Sequence, residues 1–169
     1  MTGLWLQHDL KKELEVIFRD FYLEDIKGNK KPLLIFEQEL PLLEAVPESF
    51  IMPMDDTEQE TEDTLFPHIN IKLIEGEIAE NSGNMIKLQL IIGVLDSRQE
   101  RNGHKDILNI IQKIEERFAK NRVLNKKYIL TYPMRWVLSD EEQYMYYFGG
   151  LEMKFETFAI QKEERNGYC

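Results

Sequence analysis

Apolar positions along this chain change their period several times, and each change marks an element. Over residues 104–120, Ile107, Ile110, Ile111, Ile114 and Phe118 recur at three-and-four spacing, while Gln112, Lys113, Glu115, Glu116 and Arg117 fill the opposite face. The spacing predicts an amphipathic helix, which needs a sheet to lie on. Residues 66–74 alternate, with Ile69, Ile71 and Leu73 on one side and His68, Asn70 and Lys72 on the other. Met85–Leu95 repeats the pattern with Ile86, Leu88, Leu90, Ile92 and Val94. The Asn81-Ser82-Gly83-Asn84 cluster between them predicts a hairpin with a loop longer than the tightest kind. Tyr128–Leu138 reads as a third strand, and Pro133 inside it predicts an edge position or a bulge, because proline cannot donate to a ladder. Residues 144–160 read as a fourth, with Leu151, Met153 and Phe155 on one face. There Gly149 and Gly150 permit a bend, and Phe158 and Ile160 slip onto the polar phase.

Upstream, Leu10, Leu14, Ile17, Phe18 and Phe21 follow a helical period, Asp9 suits a first turn, and Gly28 with Asn29 supplies a stop. A first helix is therefore expected over residues 9–27, preceded by Leu4, Trp5 and Leu6, with Trp5 in the core. Pro32, Pro41 and Pro47 leave room for one short strand, residues 33–38. Residues 44–64 hold many carboxylates and no Lys or Arg, which predicts a mobile acidic loop held open by its own charge. Alternatively this stretch is an arm that orders against a partner through Phe50, Ile51, Met52 and Met54. The expected fold is a single α+β domain, residues 1–169. Two amphipathic helices pack on one side of a mainly antiparallel sheet of four strands or slightly more.

Composition narrows the function. The chain has 169 residues and a formal net charge of −10, which opposes adhesion to phosphate backbones and to anionic membranes. Its one cysteine, Cys169, cannot build an internal disulfide or a thiolate cage, so a reducing compartment is expected. No basic leader precedes a long apolar run, and no stretch nears the roughly 20 apolar residues needed to span a bilayer. A cytoplasmic protein is the expectation. His8, His68 and His104 are far apart and read as surface or turn residues. No glycine-rich phosphate loop or nucleophile elbow is present, so neither a cofactor nor a metal is expected, and no catalytic residue. One enzyme-like pattern stands out: Glu152 and Lys154 with Asp140 upstream, as in nucleases whose carboxylates hold magnesium while a lysine steadies the phosphate. The same residues are also the solvent phase of an alternating strand, and a nuclease would want a basic groove. Tyr144, Tyr146, Tyr147 and Phe148 are dense for so short a run and fit either a protein interface or cross-strand packing.

The order of these pieces resembles the tail terminator, or tail completion, proteins of long-tailed bacteriophages and prophages. The likeness lies in FPHINIKLI, in an apolar strand ending Gly93-Val94-Leu95-Asp96, in a polar link to a helix carrying HKDILN, and in Tyr132-Pro133-Met134-Arg135-Trp136 followed by an acidic turn and an aromatic-glycine strand. It covers residues 66–156. The resemblance implies a non-enzymatic subunit that closes into a ring of six on the tail tube, stops tube polymerisation and faces the neck of the filled head. Its partners would be copies of itself, the tail tube protein and a head-neck connector protein, with no specific nucleic acid and no membrane. It would reside in the bacterial host cytoplasm during assembly and then in the virion tail. Tyr144, Tyr146, Tyr147, Phe158, Ile160, Phe50 and Met52 are the interface candidates. Three competitors stay open: a head-tail joining protein of the neck, the metal-dependent nuclease, and a monomeric binding module using the acidic arm.

Overall fold

The structure is a computed structural model that describes residues 3–41, 64–80, 82–141 and 143–158. Helix α1 (Gly3–Ile17) is followed by a small antiparallel hairpin, β1 (Tyr22–Glu24) and β2 (Lys30–Pro32), and then by β3 (Leu34–Glu37). Next come β4 (His68–Glu77), β5 (Met85–Leu95), helix α2 (Gly103–Lys120), β6 (Val123–Leu124), β7 (Tyr128–Leu138) and β8 (Tyr146–Thr157). The last six strands form one sheet in the order β3-β4-β5-β8-β7-β6. β3 runs parallel to β4, and the other neighbours are antiparallel. The α+β class holds, with a sheet that is larger and more mixed than four antiparallel strands. A parallel pair needs a long crossover, and alternation in a single short strand carries no information about which neighbour it will choose.

Both helices lie on one face. α2 buries Ile107, Ile110, Ile111, Ile114 and Phe118, the stripe its spacing predicts, and α1 buries Leu6, Leu10 and Leu14. Against them stand Ile69 and Ile71 of β4, Leu88, Leu90 and Ile92 of β5, and Leu151, Met153 and Phe155 of β8. Each such side chain removed from water contributes about 1.5–3 kcal/mol, so this layer is the main source of cohesion. Arg117 of α2 pairs with Glu13 of α1 and fixes one helix against the other.

The first helix departs from the expectation of residues 9–27. It starts at Gly3 and ends at Ile17, and Phe18 to Asp20 turn the chain into β1. Leu6 therefore lies inside the helix and fully buried, whereas Trp5 is 60% exposed and not in the core. Gly28 closes the β1–β2 turn at φ +78°, a conformation open to glycine, instead of ending a helix. His68 also departs from expectation, being a buried residue and not a surface one. The start of β4 is covered on both sides, since Phe36 and Phe66 lie against His68 on the face away from the helices. Gly149 and Gly150 cause no break in register: β8 pairs continuously with β5. Instead Gly149 admits Ile107, whose Cγ2 would stand 2.6 Å from an added Cβ.

Candidate functional site: an aromatic end and an unpaired sheet edge

The tyrosine run sits where β8 begins, and alternation splits it. Tyr147 faces the helices, packs on the core and closes over Gly103, the first residue of α2. Tyr146 and Phe148 face the other way and meet Phe66, with ring centroids 5.2 and 5.9 Å apart. Tyr144 lies in the preceding turn, 50% exposed, where its hydroxyl donates to the Ser97 carbonyl at 3.0 Å and Arg101 covers its ring. All three tyrosines nevertheless line one cavity of about 290 Å³, shared with Phe148, Arg101 and His104. Tyr147 is thus partly a structural residue and Tyr146 is held against Phe66, which leaves Tyr144 as the candidate whose loss would disturb ring packing least.

The connector between β5 and α2 holds this end in place. Asp96 is buried, and Arg98 grips it through Nε at 2.8 Å and Nη2 at 3.0 Å while reaching Asp106 at 3.2 Å. Burial pushes the Asp96 carboxyl upward, but hydrogen bonds from the Arg98 side chain and backbone, with its charge, hold it below the usual range. Asp106 moves the other way, raised by burial and only partly relieved by Arg98. Asp106 occupies the first turn of α2, where a carboxylate complements the helix dipole. Sequence reasoning saw this stretch as a polar link. The Asp-x-Arg spacing that lets the guanidinium fold back on the carboxylate was the missed signal.

A second feature lies along β7. β6 pairs only with Ile129 and Tyr128, so among the described residues the strand beyond Thr131 has no outer neighbour. Between Thr131 and Arg135 the register with β8 shifts, which is the bulge that Pro133 predicts. Tyr132 within the shift, and Trp136 and Val137 past it, are 48%, 57% and 59% exposed. Trp136 borders a groove against α2, beside Ile111 and Ala119. The sequence hinted at an edge through Pro133, but nothing in alternation shows that large apolar groups there stay uncovered.

The remaining candidates fall as follows. Phe158 follows the end of β8 and is 52% exposed, while Thr157 keeps the buried phase, so no bulge restores the alternation. Ile160, Phe50 and Met52, and nearly all of the expected acidic loop, lie outside the described residues. Of the nuclease set, Glu152 is held by Lys87 at 3.1 Å on the helix-free face and stands opposite Arg135. Asp140 lies past the end of β7, in the connection to β8. No group of three or more metal-ligating side chains occurs among the described residues. No helix among them is long and apolar enough to cross a membrane. Neither a protein-family model nor a curated protein matches this chain.

Proposed function

We propose that this chain is a structural virion-assembly subunit that caps a phage tail tube as a ring of six, halts tube growth and presents the tail-side surface for head joining. The observation that carries the reading is the outer half of β7. Tyr132, Trp136 and Val137 lie exposed on a strand whose outer edge past Thr131 has no neighbour among the described residues, and exposed apolar groups of this size mark protein contacts. The resemblance over residues 66–156 adds to it, because that stretch includes β4, β5, α2, β7 and β8, the body of the sheet and its main helix. Termination is then a difference between two faces of one ring: one face docks on the last layer of tube, and the other lacks what a further tube subunit needs. The partners are the tail tube protein on one side and a head-neck connector protein on the other. The places of action are the bacterial host cytoplasm during assembly and the virion tail thereafter.

Purified tube protein polymerised with increasing amounts of this chain tests the reading by electron microscopy. Tubes should become shorter and carry a ring-shaped density at one end. Tubes that lengthen equally with and without it, or binding to the head-neck connector alone, would overturn it. Serine at Tyr144 should weaken capping while the thermal midpoint stays within a few degrees of the parent, because its half-exposed ring lies outside the core.

A further inference from the structure

Past its bulge, β7 is an edge strand that is apolar in the middle and oppositely charged at its two ends. Trp136 and Val137 are exposed and Leu138 is half-buried, with an exposed Arg135 before them and exposed Asp140 and Glu141 after them. Ser139 donates its backbone N–H to the Phe148 carbonyl at 2.9 Å, so by antiparallel alternation Arg135 and Val137 bond to β8. Trp136 and Leu138 then turn their N–H and C=O groups outward. Among the described residues no strand lies beside them, which makes them a template for one more. Side chains alternate likewise: Trp136 and Leu138 stand on the helix side, opposite Leu151 and Gly149 of β8, and Arg135 and Val137 stand on the other. The cations beside β6, Arg122, Lys126 and Lys127, lie toward the far end of β7.

This edge is complementary to itself. Parallel pairing of two copies would set Arg135 against Arg135 and the acidic turns against each other, whereas antiparallel pairing sets each basic end beside the other's carboxylates. It also carries the two clusters of Arg122, Lys126 and Lys127 apart. A two-fold axis at Val137 keeps the outward groups bonded: Trp136 of each copy faces Leu138 of the other and exchanges N–H···O bonds with it, and Val137 faces its own copy. Apolar side chains then meet apolar side chains on both faces of the joined sheet. An axis at Trp136 would set the Arg135 guanidinium against Val137, and one at Leu138 would set Trp136 against Asp140. In the middle register Arg135 lies diagonal to Glu141 of the other copy. Its own cross-strand neighbour, Glu152, is already held by Lys87 at 3.1 Å.

We propose that two copies of this chain pair antiparallel through the outer edges of β7, about a two-fold axis at Val137, and so join two six-stranded sheets into one. This goes beyond the capping reading and does not rest on it. The contact is isologous, so it ends at two chains. Added strands draw affinity from main-chain hydrogen bonds and selectivity from flanking side chains, here Trp136, Val137 and Arg135. An edge holds one strand at a time. The pair is therefore a resting form, open below its dissociation constant, that parts before β7 serves any other partner.

Sedimentation of the full chain over a range of concentrations should show monomers passing to dimers and to nothing larger. In a Cys169→Ser background, Val137→Cys should cross-link into a covalent dimer under mild oxidation, because the two positions face each other across the axis at a separation a disulfide can span. Tyr132→Cys, well away from the axis, should not. Val137→Lys sets like charges face to face and should raise the dissociation constant about tenfold or more. Arg135→Glu should weaken the pair as well, and Arg135→Glu with Glu141→Arg should restore it, a rescue that damage to folding would not give. Thermal midpoints check that each variant is folded. A wild type that stays monomeric, species that keep growing past two, equal cross-linking at positions 132 and 137, a folded Val137→Lys chain that pairs like the parent, a charge swap that restores nothing, or β7 amides shielded only when tube protein is added would each overturn the pair. A monomer that still shortens tubes would sink the pair and leave capping standing; a dimer beside tubes that lengthen unchecked would do the reverse.

Discussion

His68 and Tyr128 are buried polar side chains in opposite circumstances. The His68 Nδ1 stands 3.1 Å from the Leu65 carbonyl; burial lowers its pKa to about 4, and this contact opposes the fall. Between about pH 6.5 and 4 the unfolded chain binds a proton that the folded chain refuses. Stability therefore falls as pH drops through that window, by an amount on the order of 3 kcal/mol. Glutamine at His68 should flatten this slope, measured as the urea midpoint at pH 7 and pH 4.5; an unchanged slope would remove His68 as its origin. The Asp96 response lies lower. Its depressed carboxyl stabilises the fold above the ordinary value of 3.8, and that stabilisation is lost as pH falls through the folded value below it. Tyr128 is fully buried and its hydroxyl has no hydrogen-bond partner among the described residues. Tyr128→Phe should thus leave stability unchanged or raise it by about 1 kcal/mol, and a loss of 2 kcal/mol in chemical denaturation would contradict that.

Elements were legible in proportion to their length and period. The five-residue apolar stripe of α2 and the alternation of β5 gave those elements nearly to the residue, because burial on one face leaves a repeating mark. α1 was displaced. Its apolar period runs on through Phe18 and Phe21, but the helix ends at Ile17 and the two rings meet across the turn that follows. β3 was visible as a short strand, but its parallel partner was not, since strand pairing is settled by the whole core. The splitting of the tyrosine run follows from a period of two, and it could have been foreseen once the strand was assigned. What alternation cannot reveal is the distance from Gly149 to Ile107. Gly149→Ala should cost about 2 kcal/mol through overpacking, read from the thermal midpoint, and a neutral result would mean that α2 can retreat from the sheet.

For the whole molecule, a net charge of −10 is unevenly spread along the sequence, since residues 120–135 hold five cations and no carboxylate whereas residues 42–63 hold eight carboxylates and no Lys or Arg. The total told against nucleic acid as a partner. The α+β layering could be read from periods alone, while the uncovered half of β7 could not. Exposure depends on where the chain stops adding strands, which is a property of the complete fold.

The ladder between β5 and β8 runs through eleven consecutive pairs, from Met85 with Glu156 to Leu95 with Tyr146, with no shift and with strands on both sides. In heavy water, the amides of these two strands should be the last to trade hydrogen for deuterium, and those of β7 past Pro133 among the first. Adding a saturating partner should slow the second group alone, so mass spectrometry of peptic fragments would map the contact without any substitution.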